Sequence, residues 1–169
     1  IGGGSTLDTG KSISNLLKNK GTSEKYQGWD LLKNRGVYKI GIPTLFGTGS
    51  EVTRTCVLMN KKKKLKLGMN SDFTVFDEII LSPDLCKTVN RNQYFFSGMD
   101  CFIHSFESLT GKYKNTVANV YSRQTIDLCK EIFLSENMKS KENREKLMSA
   151  SMLGGQSIAM SYVGLIHPL

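Results

Sequence analysis

Apolar residues along the chain follow one spacing in the first half and another in the second. After Ile1 and three glycines, residues 5–18 place Leu7, Ile13, Leu16 and Leu17 on a helical period, and the segment stops at the Asn19–Gly21 turn signal. Residues 37–44, VYKIGIPT, form a short apolar run halted by Pro43, as a buried strand would be. Residues 46–53, FGTGSEVT, read as a loop, and TRTCVLMN and KLKLGMN flank a run of lysines as the two arms of a hairpin. Residues 76–85 end the strand region at Pro83.

Beyond residue 86 β-branched runs give way to helical spacing. Helices are expected over 93–110, 115–134 and 142–164, the last rich in small residues and packed through Ala150, Ala159 and the Gly154–Gly155 pair. The fold class expected is α/β followed by all-α, divided into a partial α/β domain over 1–85 and a partial helical domain over 86–169.

Composition changes this picture little. The chain has 169 residues, 39% hydrophobic and 22% charged, which is ordinary for a globular protein. No apolar run approaches the ~20 residues of a membrane span. The net charge of +8 is substantial, but much of it comes from Lys61 to Lys64 with Lys66. With no aromatic residues interleaved, that run reads as a solvated hairpin turn rather than a nucleic-acid surface. The four cysteines, Cys56, Cys86, Cys101 and Cys129, form no C-x-x-C pair, which fits buried free thiols in a reducing, cytoplasmic setting. There is no initiator Met and no targeting segment, so the chain reads as a fragment.

The opening IGGGSTLDTGKS offers two anion-binding readings. Gly10, Lys11 and Ser12 match the second half of a P-loop, but Ser5 stands where its first glycine belongs and Asp8 would place negative charge among the phosphates. The alternative is a glycine turn leading into a helix, with Ser5 and Asp8 capping the first turn and the free amides receiving a pyrophosphate. A glycine turn before a helix is also a common plain connector.

Asp100 and His104, four residues apart on a predicted helix, share one face with Cβ atoms about 5–6 Å apart. Such a pair is often a surface hydrogen bond. Here it lies among Phe95, Phe96, Met99, Phe102, Ile103 and Phe106, and an apolar setting makes an unpaired carboxylate costly and a divalent cation a good partner. An oxygen and nitrogen donor set suits iron(II) or zinc, and His167, the other histidine, would be a third ligand.

The motifs GGGSTLDTGK, PTLFGTGSEVT, GMDCFIHSFES and GLIHPL, in that order, resemble the iron-containing (group III) alcohol dehydrogenase family across essentially the whole chain. Within it, YQGWDLLK, LGMNSDFTVFDEIILSPDL and ENREKLMSASMLGGQSIAMSYVG look like the 3-deoxy-D-manno-octulosonate 8-oxidase branch, which oxidises the terminal primary alcohol of a sugar acid. The resemblance implies part of a dehydroquinate synthase-like two-domain fold with the active site in the cleft, a divalent metal, and NAD(P) as cofactor. It implies that Gly3, Gly4, Ser5 and Asp8 hold the cofactor pyrophosphate, that Thr44, Thr48 and Thr53 line the nucleotide site, and that Lys66 lies near the cofactor. Asp100, His104 and His167 would be metal ligands. The family also carries a nucleotide-binding unit ahead of the glycine turn and a fourth ligand, a histidine after the third. A chain without these is expected to be inactive or weakened by itself, a generic alcohol dehydrogenase or a truncated remnant being the other readings. The partner implied is a small alcohol or sugar acid, with a homodimer allowed and neither nucleic acid nor membrane called for.

Overall fold

A computed structural model describes residues 1–164 and 166–167. They fall into two compact units, 1–43 with 50–80, and 44–49 with 81 onward. The segment 44–49 packs with the second unit rather than with the residues on either side of it.

In the first unit, helix α1 spans Gly4–Leu16. Gly3 takes an extended conformation and its carbonyl accepts the amides of Thr6 and Leu7 at 2.9 and 3.0 Å, so the helix starts one residue earlier than expected. Ser5 is therefore already helical, and no side chain caps α1, contrary to the Ser5–Asp8 capping expected from the sequence. Asp8 instead accepts hydrogen bonds from Ser50 Oγ (2.6 Å) and the Val57 amide (2.9 Å). The apolar period also misleads here. Ile13 and Leu17 are exposed, while Lys11, Ser12, Ser14 and Asn15 are buried beside Leu7.

Lys11 explains how such a face is tolerated. Its ammonium donates to the carbonyls of Thr53 (2.8 Å) and Thr55 (2.9 Å) and lies over the Phe76 ring. Burial pulls its pKa down to about 8, with the Asp8 carboxylate opposing. Gly10, Lys11 and Ser12 thus sit inside a helix with the lysine committed to main-chain oxygens, which removes the P-loop reading.

Strands β1 (Gly28–Trp29), β2 (Ile40–Gly41), β3 (Thr55–Asn60), β4 (Leu65–Asn70) and β5 (Glu78–Ile79) complete the unit. β3 and β4 form the expected antiparallel hairpin, with Asn60 opposite Leu65 and Thr55 opposite Asn70, and β1 adds in parallel to β4. The lysines 61–64 are exposed at its turn. The run 37–44 is a strand only at β2, which pairs in parallel with β5; Tyr38 and Ile40 are exposed. Tyr26, Leu32, Cys56 and Met69 form this unit's apolar cluster.

The second unit is built on α2 (Arg91–Thr110), α3 (Thr116–Phe133) and α4 (Lys141–Ser161). Each start is capped by a short polar side chain, as N-terminal amides require: Asn90 accepts from the Gln93 amide, Asn115 from Val117 and Ala118, and Ser140 from Asn143. Phe46, Tyr94, Cys101, Cys129, Ile132 and Leu147 are fully buried in its core. α4 contributes Ala150, Gly154 and Gly155 to the buried face as expected, but Ala159 is exposed. On α2 the phenylalanines Phe95, Phe96 and Phe106 are exposed, whereas Ser97, Gly98, Cys101, His104, Ser105, Glu107 and Ser108 face inward. Small residues win that face because the helices approach closely: a Cβ on Gly154 would lie 3.1 Å from Cys101 Cβ. All four cysteines are buried, and none forms a disulfide among the described residues. Among the described residues no helix is long and apolar enough to cross a membrane.

Candidate metal centre

On α2 the half-buried Asp100 stands one helical turn before the buried His104, because residues four apart stack on one side of a helix. His104 Nε2 stands 3.8 Å from Asp100 Oδ1. The segment after α4 returns to the same face, where His167 Nε2 lies 3.2 Å from Asp100 Oδ1 and its ring stacks on that of His104 with centroids 4.2 Å apart. One donor atom from each of Asp100, His104 and His167 lies within 4.8 Å of the others.

The loop 44–49 supports this face. The Gly47 amide donates to Ser151 Oγ at 2.6 Å, and the loop turns at Gly47 and Gly49 with φ of +104° and +58°. A Cβ on Gly49 would come within 2.4 Å of Gly155 Cα, so the loop backbone lies directly on α4.

The electrostatics favour a cation. Burial lowers the His104 pKa to about 4, Asp100 opposing only in part, so the imidazole is neutral at neutral pH with its lone pair available. Burial alone would raise the Asp100 pKa, but the His167 hydrogen bond and the two imidazoles outweigh it and hold the carboxyl below its usual range. His167 is raised, chiefly by its hydrogen bond to Asp100 against the opposing effect of burial, with Glu107 adding to the rise. The residues fit a divalent ion on chemical grounds. Two imidazoles and a carboxylate converge, and His104 Nδ1 is buried with no well-formed hydrogen bond, the Gly47 backbone being its near neighbour.

Protons compete with metal for His167, and its raised pKa shifts that competition upward. Zinc affinity is expected to start falling, as pH is lowered, above the ordinary imidazole value of 6.5. Calorimetric titration at a series of pH values checks this; an onset at or below that value contradicts it.

The nucleotide-loop residues are placed as follows. Gly3 precedes α1, Gly4 and Ser5 open it, and Asp8 sits one turn on with its carboxylate engaged by Ser50 and Val57. Thr53 is buried with its carbonyl on Lys11, and Lys66 is exposed on β4 opposite Met59. Thr44 and Thr48 belong to the second unit's 44–49 segment.

Sequence reasoning missed Glu107, which is 3% exposed. It accepts the Ile166 amide on Oε1 at 2.6 Å, and its Oε2 pairs with His167 Nδ1. Burial would raise its pKa, but His167 and the amides of Gly164 and Ile166 keep it below the ordinary range. The signal was present in the spacing: positions 100, 104 and 107 follow the i, i+4, i+7 stripe of one helix face.

Residues 1–83 match the sequence model of the iron-containing alcohol dehydrogenase family. Over its whole length the chain is 34% identical to a sulfoacetaldehyde reductase from Bilophila wadsworthia, covering 44% of that protein. An alcohol dehydrogenase from Oenococcus oeni superposes with a TM-score of 0.93 at 28% identity, over 98% of this chain and 44% of that one. A sulfoacetaldehyde reductase from Bifidobacterium kashiwanohense, solved with NAD+, superposes with a TM-score of 0.86 at 25% identity, over 96% of this chain and 44% of that one. The chain thus spans somewhat under half the length of the relatives it matches. By family model over residues 1–83, by sequence along its full length and by fold, this chain is similar to the iron-containing alcohol dehydrogenases.

Proposed function

We propose that the protein is a metal-dependent, NAD(P)-linked oxidoreductase that interconverts a small primary alcohol and its aldehyde. The convergence of Asp100, His104 and His167 carries this reading. These three residues would hold iron(II) or zinc, whose chemistry when bound is Lewis acidity: it eases loss of a hydroxyl proton in one direction and polarises a carbonyl in the other. His104 contributes as a donor that is neutral at neutral pH, Asp100 as the negative charge, and His167 as the ligand whose proton must leave before it can bind. NAD(P), when bound, would supply an acceptor for the hydride of the carbinol carbon, the hydroxyl proton passing to solvent.

Gly3, Gly4 and Ser5 suit the cofactor pyrophosphate, since the first amides of α1 and its dipole favour an anion. Asp8 acts through Ser50 and Val57, fixing α1 on β3 rather than capping it. Thr44, Thr48, Thr53 and Lys66 are proposed around the nucleotide on the resemblance of their motifs alone.

An anionic substrate is favoured. The octulosonate-like motifs point to a sugar acid, and a relative acts on sulfoacetaldehyde, a small aldehyde that also carries a negative charge. The net charge of +8 would draw such a substrate at short range. The test is turnover by the zinc- or iron-loaded full-length protein with NADH, NADPH, NAD+ and NADP+ against sulfoacetaldehyde, 3-deoxy-D-manno-octulosonate and 1,3-propanediol. Metal-dependent turnover with preference for an anionic substrate supports the reading. Metal-independent turnover, or none with any of them, counts against it.

A further inference from the structure

The candidate centre depends on His167 presenting one nitrogen to Asp100, and nothing described so far decides which of its two nitrogens carries the proton. We propose that Glu107 is the positioning residue that does so: it holds the Nδ1–H tautomer of His167 and leaves Nε2 bare and directed at Asp100. This rests on the metal-centre reading above.

The geometry makes the assignment specific. Glu107 is buried, and its two carboxylate oxygens are divided between two partners in the segment after α4: Oε1 accepts the Ile166 amide at 2.6 Å, and Oε2 meets His167 Nδ1. An ionised carboxylate can only accept, so the nitrogen facing it must donate. Asp100 is ionised too and faces Nε2 at 3.2 Å, but its side chain is one-third exposed and water can serve it, whereas the buried Glu107 has no such substitute; the single proton of the neutral ring therefore stays on Nδ1 and leaves the lone pair on Nε2. The backbone contact adds a second constraint, since the Ile166 amide fixes the neighbouring main chain to the same carboxylate. Gly164 completes the seat. A Cβ there would lie 3.0 Å from Glu107 Oε1 and 3.2 Å from its Cδ, so the glycine lets this carboxylate lie close beneath the segment without shifting.

Glutamine discriminates this role from simple packing. Its side chain has nearly the same shape but offers one acceptor and one donor where the site presents two donors, the Ile166 amide and Nδ1–H. In Glu107→Gln either the Ile166 contact is lost or the ring inverts so that Nδ1 accepts and Nε2 carries the proton, which blocks it as a ligand. Aspartate keeps an acceptor-only group and preserves the tautomer.

The experiment is 15N NMR of the histidine rings of the metal-free protein at alkaline pH, where imidazoles are neutral, together with zinc affinity. In the wild type and in Glu107→Asp the His167 resonances are expected to show a protonated Nδ1 and a bare Nε2. In Glu107→Gln they are expected to invert or become mixed, with zinc affinity about 10–100-fold lower, as for the loss of a hydrogen-bonding partner behind a metal ligand, and Glu107→Asp binding more tightly than Glu107→Gln. A folded Glu107→Gln protein with the wild-type tautomer and affinity overturns the proposal, as does a folded Glu107→Asp protein that loses both. Should Glu107→Gln not fold, the wild type decides: a neutral His167 ring with its proton on Nε2, or divided between the two nitrogens, overturns the proposal. A wild type that shows the expected tautomer but binds no zinc fails the metal reading alone, because the NMR observation is made without metal.

Discussion

Replacing Asp100 with alanine is expected to lower affinity for iron(II) or zinc by at least ~100-fold, more than the loss of a group behind a ligand costs, and to abolish metal-dependent turnover. The size follows from the donor set. Asp100 supplies the negative charge among the three converging groups, and its Oδ1 is the atom that both histidine Nε2 atoms face, at 3.8 and 3.2 Å. Removing it leaves two neutral imidazoles, a donor set too small to retain a divalent ion against water. Folding is expected to survive, because the side chain is about one-third exposed (34%) and His167 keeps its contact with Glu107. Metal content after dialysis, measured on the folded variant, checks this. Metal content equal to the wild type would remove Asp100 from the centre.

Gly47→Ala is expected to destabilise the protein by about 3 kcal/mol or more, in the range reserved for backbone strain combined with steric conflict. Gly47 has φ +104°, a conformation that side chains rarely adopt, and a Cβ there would lie 1.6 Å from the Ser97 carbonyl oxygen and 3.3 Å from Asp100 Cβ. Backbone cannot yield as the tip of a flexible side chain can, so the loop must lift from α2 and give up its hydrogen bond to Ser151. A fall in Tm of roughly 6–12 °C corresponds to that loss for a protein of this size. Because the same loop backs His104 and touches Asp100, zinc affinity should fall as well. Gly10→Ala is the matched control. It lies inside α1 with nothing within 4 Å of the added Cβ, so it should be neutral or stabilise by up to ~1 kcal/mol. Equal Tm values for the two variants would contradict the close approach of the loop.

Much of this architecture was legible from local pattern. The hairpin arms around the lysines and the helices α2, α3 and α4 follow from periodicity, because that signal acts over a few residues. The errors fall where tertiary contacts override them. Ile13 and Leu17 obey a helical period yet are exposed, since Lys11 and Asn15 find buried partners on distant residues: the carbonyls of Thr53 and Thr55, and Thr74 Oγ1. Ser5 looked like a cap because Gly3's ability to turn the chain one residue sooner leaves no mark in the sequence. On α2 the expectation of an aromatic surround reversed, because a face against which another helix comes close selects Gly98 and Cys101 over phenylalanine.

The candidate site was half legible. Asp100 and His104 declare themselves by their spacing, whereas nothing local ties them to His167, whose meeting with them depends on where the chain returns after α4. Glu107 was visible only as another polar position on the same stripe, and its importance appears when its two oxygens are seen to be shared by Ile166 and His167.

The most direct measurement is anomalous X-ray diffraction from crystals of the full-length protein loaded with iron or zinc, recorded on either side of the metal's absorption edge. A single strong peak bonded to an Asp100 oxygen and to nitrogens of His104 and His167 is the predicted result. A peak bound by other residues, or none at this cluster in crystals that contain the metal, would contradict the account.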